Sequence, residues 1–140
     1  MFVDLGCGKG RVVCLAALLG VRKAIGVELV SHLASDARRN AERLAGSCPI
    51  EIVTGDAALF DPVDGTVFFL FDPFGAATCA LVAENIRRSL LRRPRHIRIV
   101  YVKPLYSHVF DKQDWLIPMA RSRRDVRVWE SASRFSESCV

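Results

Sequence analysis

The stretch Asp4-Leu5-Gly6-Cys7-Gly8-Lys9-Gly10 decides how this chain folds. It joins a short β-like run, Phe2–Leu5, to an apolar helical run, Gly10–Leu19. Three glycines at alternate positions let the backbone bend sharply and leave space where a Cβ would collide with a close ligand. A dinucleotide-phosphate loop reads G-x-G-x-x-G. Here the third glycine comes one residue early, and Arg11 occupies the place it would need. No G-K-[ST] is present, so the bend is not a Walker loop either.

Working outward, Gly20 suits the end of the first helix. That helix is apolar nearly all round, which predicts cover on both sides. Ala24–Glu28 reads as a second strand, and Ser31 as the cap of a second helix. Leu33, Ala37, Ala41 and Leu44 form its apolar stripe. Ile50–Thr54 is a third strand whose Glu51 predicts a place near a sheet edge. Thr66–Phe71 is apolar throughout and predicts a central strand buried on both faces. Val82, Ile86 and Leu90 mark a further helix, and Ile97–Val102 a fifth strand. Trp115–Ile117 and Val126–Glu130 read as two last strands, joined by a basic turn over 121–125.

This rhythm predicts an α/β domain over residues 1–140, a doubly wound and mostly parallel sheet with helices on both faces. Ligands of such sheets bind beyond the carboxyl ends of the strands. That rule selects Asp4–Gly10, Glu28, Asp56, Asp72–Gly75 and Lys103–His108.

Composition fits one globular domain: 140 residues, 51% hydrophobic and 25% charged. The longest apolar run, Val12–Val21, is too short to span a bilayer, and no secretory signal is read at the start. No membrane partner is expected. The cysteines at 7, 14, 48, 79 and 139 show no C-x-x-C spacing, so neither a metal site nor a disulfide framework is expected. Scattered thiols suit a reducing, cytoplasmic setting. The net charge of +5 gathers at Arg87–Arg98 and Arg121–Arg127. Such clusters can attract nucleic acid or simply solvate a helix end and a loop.

The glycine bend resembles motif I of the class I S-adenosylmethionine-dependent methyltransferases, and the likeness runs from Phe2 to about Tyr106. It implies S-adenosyl-L-methionine as cofactor. It implies that Gly6, Cys7, Gly8 and Gly10 wrap the methionine part, with Asp4 reaching its amino group. Glu28, with Leu29 beside it, matches the acidic ribose ligand; Asp56 matches the acceptor for the adenine amino group, and the N–H of Ala57 the ring contact. Asp72-Pro73-Phe74 resembles a shortened D/N-P-P-Y/F motif. This implies catalytic roles for Asp72 and Phe74 at the acceptor, with Asp72 also at the cofactor. One proline instead of two, followed by Gly75, leaves the acceptor open: protein, RNA or a small molecule. Lys103, Tyr106 and His108 could line its pocket. Helices that precede motif I in the family have no counterpart before Phe2. The face they would cover predicts self-association, and hence a homo-oligomer.

Two other classes fit parts of the pattern. A nicotinamide-dependent oxidoreductase explains the fold and Glu28, but neither Arg11 nor Asp72-Pro73-Phe74. A non-catalytic nucleotide- or RNA-binding module explains the arginines, yet no aromatic residues interleave with them for base stacking.

Overall fold

The computed structural model describes residues 1–44, 48–62, 64–119 and 125–135. In chain order these form β1 (Phe2–Leu5), α1 (Arg11–Leu18), β2 (Ala24–Glu28), α2 (Ser31–Glu42), β3 (Ile50–Thr54) and β4 (Val67–Phe71). There follow α3 (Ala76–Arg92), β5 (Arg98–Val102), α4 (Ser107–Asp111), β6 (Leu116–Pro118), β7 (Val126–Ser131) and a 3₁₀ turn, Ser133–Phe135.

One seven-stranded sheet runs in the order β3-β2-β1-β4-β5-β7-β6. β1 pairs in parallel with both β2 and β4, so the winding reverses direction between β1 and β4. That reversal opens the crevice at the carboxyl ends where ligands of such sheets bind. β2–β3 and β4–β5 are also parallel, whereas β7 inserts antiparallel between β5 and β6. The expected edge position of Glu51 holds, since β3 is an outer strand. The basic turn expected over 121–125 lies, apart from Asp125, outside the described residues.

Helices lie on both faces. α3 and α4 cover one, where Val3, Phe68, Leu70, Ile99 and Tyr101 are 0% exposed and pack with Cys79, Ile86 and Phe110. Each large apolar side chain so enclosed contributes about 1.5–3 kcal/mol. α1 and α2 cover the other face only over its β2–β3 end, through Val13, Ala17 and Ala24 against Ile50 and Ile52. α2 is tied to the edge strand by Arg38, whose Nη2 donates to the Ile52 carbonyl and Thr54 Oγ1. Gly20 ends α1 as expected, in the left-handed region at φ 84.

Three expectations need correction. Ser31 is the first helical residue of α2; Val30 takes the cap position, and no side chain caps it. β4 is buried on one face only: Phe68 and Leu70 are enclosed, whereas Phe71 is 51% exposed and Val67 and Phe69 are half-buried. α1 is likewise covered on one side, with Leu15 52%, Leu18 59% and Leu19 85% exposed. Hydropathy records what a residue can bury, not what arrives to bury it.

Candidate functional site

The bend begins where β1 ends. Gly6 and Cys7 both donate their N–H to the Val27 carbonyl, at 2.8 and 3.0 Å. The Gly10 N–H donates to the Cys7 carbonyl at 2.9 Å. The Gly8 N–H donates to Glu28 Oε2 at 2.8 Å. Glu28 Oε1 accepts from the Val30 N–H at 2.9 Å. One carboxylate at the end of β2 thus clamps the glycine bend to the start of α2. These four bend amides are all used within the protein.

The glycines differ in purpose. Gly6 (φ +80) has no room for a side chain, because a Cβ there would stand 2.4 Å from the Pro73 Cβ. Gly10 (φ +78) lets α1 meet α2 closely, a Cβ there falling 3.1 Å from the Ala37 Cβ. A Cβ at Gly8 would meet nothing within 4 Å, so its surface is open.

Asp4 and Glu28 are both buried, 3% and 8% exposed. Burial, and then the Glu28 charge, push the Asp4 carboxyl up to about 7; a Val13 backbone N–H bond partly offsets this. The same burial and the two carboxylates push the Cys7 thiol up to about 12, so it is an inert packing group. Its sulfur lies against β2 at Gly26, where a Cβ would come within 2.7 Å.

A crevice of about 200 Å³ is lined by Gly6, Val27, Glu28, Leu29, Gly55, Asp56, Ala57, Pro73, Phe74 and Thr78. It brings together six residues chosen from the sequence: Gly6, Glu28, Leu29, Asp56, Ala57 and Phe74. Asp4, Cys7, Gly8, Gly10 and Asp72 do not line it; the first two are buried. Pro73 falls in the Asp72–Gly75 stretch that the strand-end rule selects, and Gly55 directly precedes Asp56. Val27 and Thr78 escaped sequence reasoning; Val27 adjoins Glu28, whereas nothing local marks Thr78, which lies within α3. Asp56 already has a turn role, Oδ1 accepting the Ala58 N–H at 2.8 Å.

Beside the crevice lie the ends of β4 and β5. Asp72 (φ 39) and Lys103 (φ 50) are the two described non-glycine residues with positive φ. Each costs on the order of 1–2 kcal/mol. Such strain concentrates at working sites. The Asp72 N–H donates to the Val102 carbonyl at 3.1 Å and the Lys103 N–H to the Asp125 carbonyl at 2.8 Å, so the strain is held by neighbouring strands. Lys103 Nζ lies 5.4 Å from the centre of the Phe71 ring. Tyr106 and His108 meet edge-on at 6.4 Å.

Among the described residues no cluster of His, Cys, Asp and Glu is arranged to hold a metal, and no helix is long and apolar enough to cross a membrane.

Sheet order and crevice together define a class I methyltransferase fold, and the chain has that fold. Residues 1–50 match the family model described as histone methylation protein DOT1. A protein-lysine N-methyltransferase of Saccharolobus islandicus (strain REY15A) is 36% identical over 69 residues, 49% of this chain and 43% of that protein. The chain therefore spans under half the length of that curated relative. Among solved structures, the magnesium protoporphyrin IX methyltransferase of Synechocystis PCC 6803 with bound SAM superposes with a TM-score of 0.66 at 16% identity, covering 94% of this chain and 68% of that one. An RNA methyltransferase from Salinibacter ruber, in complex with S-adenosyl-L-homocysteine, gives 0.61 at 21% identity, covering 99% and 82%.

Proposed function

We propose that the chain binds S-adenosylmethionine in the β1–β4 crevice and transfers its methyl group to a nitrogen acceptor, a protein lysine being the first to test. The observation that carries this reading is the charge and hydrogen bonding of the bend. Four of its amides are already satisfied and two buried carboxylates, Asp4 and Glu28, stand beside it. A pyrophosphate needs free amides at a helix N-terminus and would be repelled by those carboxylates. An ammonium group and a pair of ribose hydroxyls suit them. This weighs against a nicotinamide dinucleotide. The histone-methylation model and the lysine-modifying relative support the nitrogen acceptor.

In this reading Asp4 holds the amino group and the bend wraps the amino-acid part. Glu28 holds the ribose. Asp56 keeps one carboxylate oxygen for the adenine amino group, with Leu29 and Ala57 against the ring. The cofactor, when bound, supplies a methyl carbon already activated by its sulfonium. The protein therefore has mainly to align the nucleophile. A lysine must arrive neutral, with its lone pair free. Asp72, exposed and fixed by strained backbone, can accept a hydrogen bond from that nitrogen and so orient its lone pair, while the proton of the methylated nitrogen leaves to solvent. Phe74 would stack on the acceptor's carrier, and the Phe74 carbonyl, approached by Cys79 Sγ at 3.9 Å, is held in place.

Calorimetry and mass spectrometry test the first half. The purified chain should carry or bind S-adenosylhomocysteine, and bind it more tightly than NADH; the reverse order would sink the proposal. Glu28→Ala should weaken that binding roughly tenfold or more. Asp72→Ala and Phe74→Ala should keep the affinity but lose methyl transfer from labelled cofactor to a lysine-rich protein. Equal loss of affinity in both would move these residues out of the acceptor role.

A further inference from the structure

Tyr101, next to last in β5, is 0% exposed. Its ring meets Phe110 of α4 edge-on at 5.9 Å and shares the core beneath α3 with Cys79. The ring is well placed there; the phenol oxygen is not. Other buried polar groups of this core are paired. Trp115 Nε1 donates to Gln113 Oε1 and Trp129 Nε1 to Asp111 Oδ1, both at 3.0 Å. Ser89 Oγ donates to the Ile86 carbonyl at 2.8 Å. Among the described residues, Tyr101 Oη alone is a buried side-chain polar atom with no hydrogen-bond partner. Nearly all buried hydroxyls are paired, and one that is not calls for a reason. Enclosure without a bond destabilises the folded chain.

The hydroxyl stands behind the acceptor side of the crevice. Burial, and then the Cys79 thiol, raise the Tyr101 phenol to about 12; the Tyr106 backbone N–H offsets part of this, and the Asp72 carboxylate adds a smaller push. Cys79 Sγ in turn approaches the Phe74 carbonyl at 3.9 Å, and the Cys79 N–H donates to the Gly75 carbonyl at 3.0 Å. β5 thus supports the 72–74 turn twice. The Val102 carbonyl receives the Asp72 N–H at 3.1 Å, and Tyr101 stands behind Phe74 by way of Cys79. We infer that Tyr101 is a positioning residue for methyl transfer: its hydroxyl donates to Cys79 Sγ, and the Cys79 thiol to the Phe74 carbonyl, once an acceptor nitrogen is seated at that carbonyl. This rests on the proposed reaction and adds a residue to its acceptor side. A contact of 3.9 Å is long, and catalytic hydrogen bonds are often long in the free enzyme and tighten in the loaded one. A carbonyl oxygen has two lone pairs. With Cys79 on one, the other is aimed at the acceptor's N–H, which turns the nitrogen lone pair toward the methyl carbon. Donation from Tyr101 to the sulfur makes the thiol a better donor. A bond absent from the free chain and made at the reacting moment lowers the barrier without tightening ground-state binding.

Deleting the hydroxyl separates this role from packing. Tyr101→Phe keeps the ring and removes the unpaired group, so it should melt a few degrees higher than the native chain. Its kcat for labelled methyl transfer to a lysine-rich protein should nevertheless fall about tenfold, with KM and the affinity for S-adenosylhomocysteine unchanged. Cys79→Ala should lose a similar factor, and the double variant no more than either alone, since both cut one relay. Cys79→Ser keeps a donor toward Phe74 and should hold most of the rate. Ser89→Ala also deletes a buried hydroxyl, but one paired with the Ile86 carbonyl and with Arg95. It should melt lower and keep its kcat. A native chain that binds S-adenosylhomocysteine but methylates no lysine would overturn the acceptor assignment and the Tyr101 role with it. An active native chain whose kcat survives Tyr101→Phe would overturn the role alone. So would a kcat loss accompanied by a lower melting temperature or weaker S-adenosylhomocysteine binding, which marks damaged packing, and so would losses that multiply in the double variant.

Discussion

Gly6→Ala will bind S-adenosylhomocysteine about a hundredfold more weakly than the native chain, and will melt several degrees lower. Two costs coincide at this position. The backbone is held at φ +80, which costs an alanine about 1–2 kcal/mol. The added Cβ would also stand 2.4 Å from the Pro73 Cβ, and neither atom can rotate away. Either the bend or the 72–74 turn must move, and the crevice lies between them. Gly8→Ala is the control. It has similar backbone strain at φ +54 but an open surface, so its melting temperature should fall less. Unchanged affinity for Gly6→Ala in calorimetry would show that the crevice is not where the ligand binds.

Asp4→Asn will act in opposite directions on folding and binding. The Asp4 carboxyl is raised from 3.8 to about 7, first by burial and then by Glu28. Between those values the folded chain keeps a proton that the unfolded chain has lost. Stability therefore falls as pH rises through that window and levels off above about 7. The full loss is on the order of 4 kcal/mol. The amide variant carries no such charge and can still accept the Val13 N–H, so above pH 7 it should melt higher than the native chain. At pH 4 the two should coincide. A cationic amino group beside Asp4 reverses the balance by favouring the carboxylate. Native affinity for S-adenosylhomocysteine should therefore rise as pH rises through about 7, while the variant stays weak and flat. Melting curves from pH 4 to 9 beside calorimetry at the same values decide this. Parallel pH profiles for the two proteins would remove Asp4 from the site.

The strand and helix alternation was legible because its periods are local. The glycine bend, β1 through β5 and even the two short final strands follow from runs of three to seven residues. The crevice was legible through a rule about strand ends, which is why Glu28, Asp56 and Phe74 meet there. Partnership was less legible. Nothing in the one-dimensional pattern tells that Glu28 clamps Gly8 and Val30, or that Gly6 lies against Pro73 across 67 positions of chain. Nor does an apolar run tell one covered face from two, and β4 was misjudged for that reason. Ser31 was misplaced by a single position, because a good capping residue beside an extended valine leaves the boundary ambiguous.

The clamp made by Glu28 bears on rates as well as affinity. A loop whose amides find their partners during folding has little motion left to lose when a ligand arrives. Encounter should then be fast and nearly independent of which nucleoside enters. Discrimination among S-adenosylmethionine, its demethylated product and unrelated adenosine compounds would appear in residence time, with each lost contact shortening the stay.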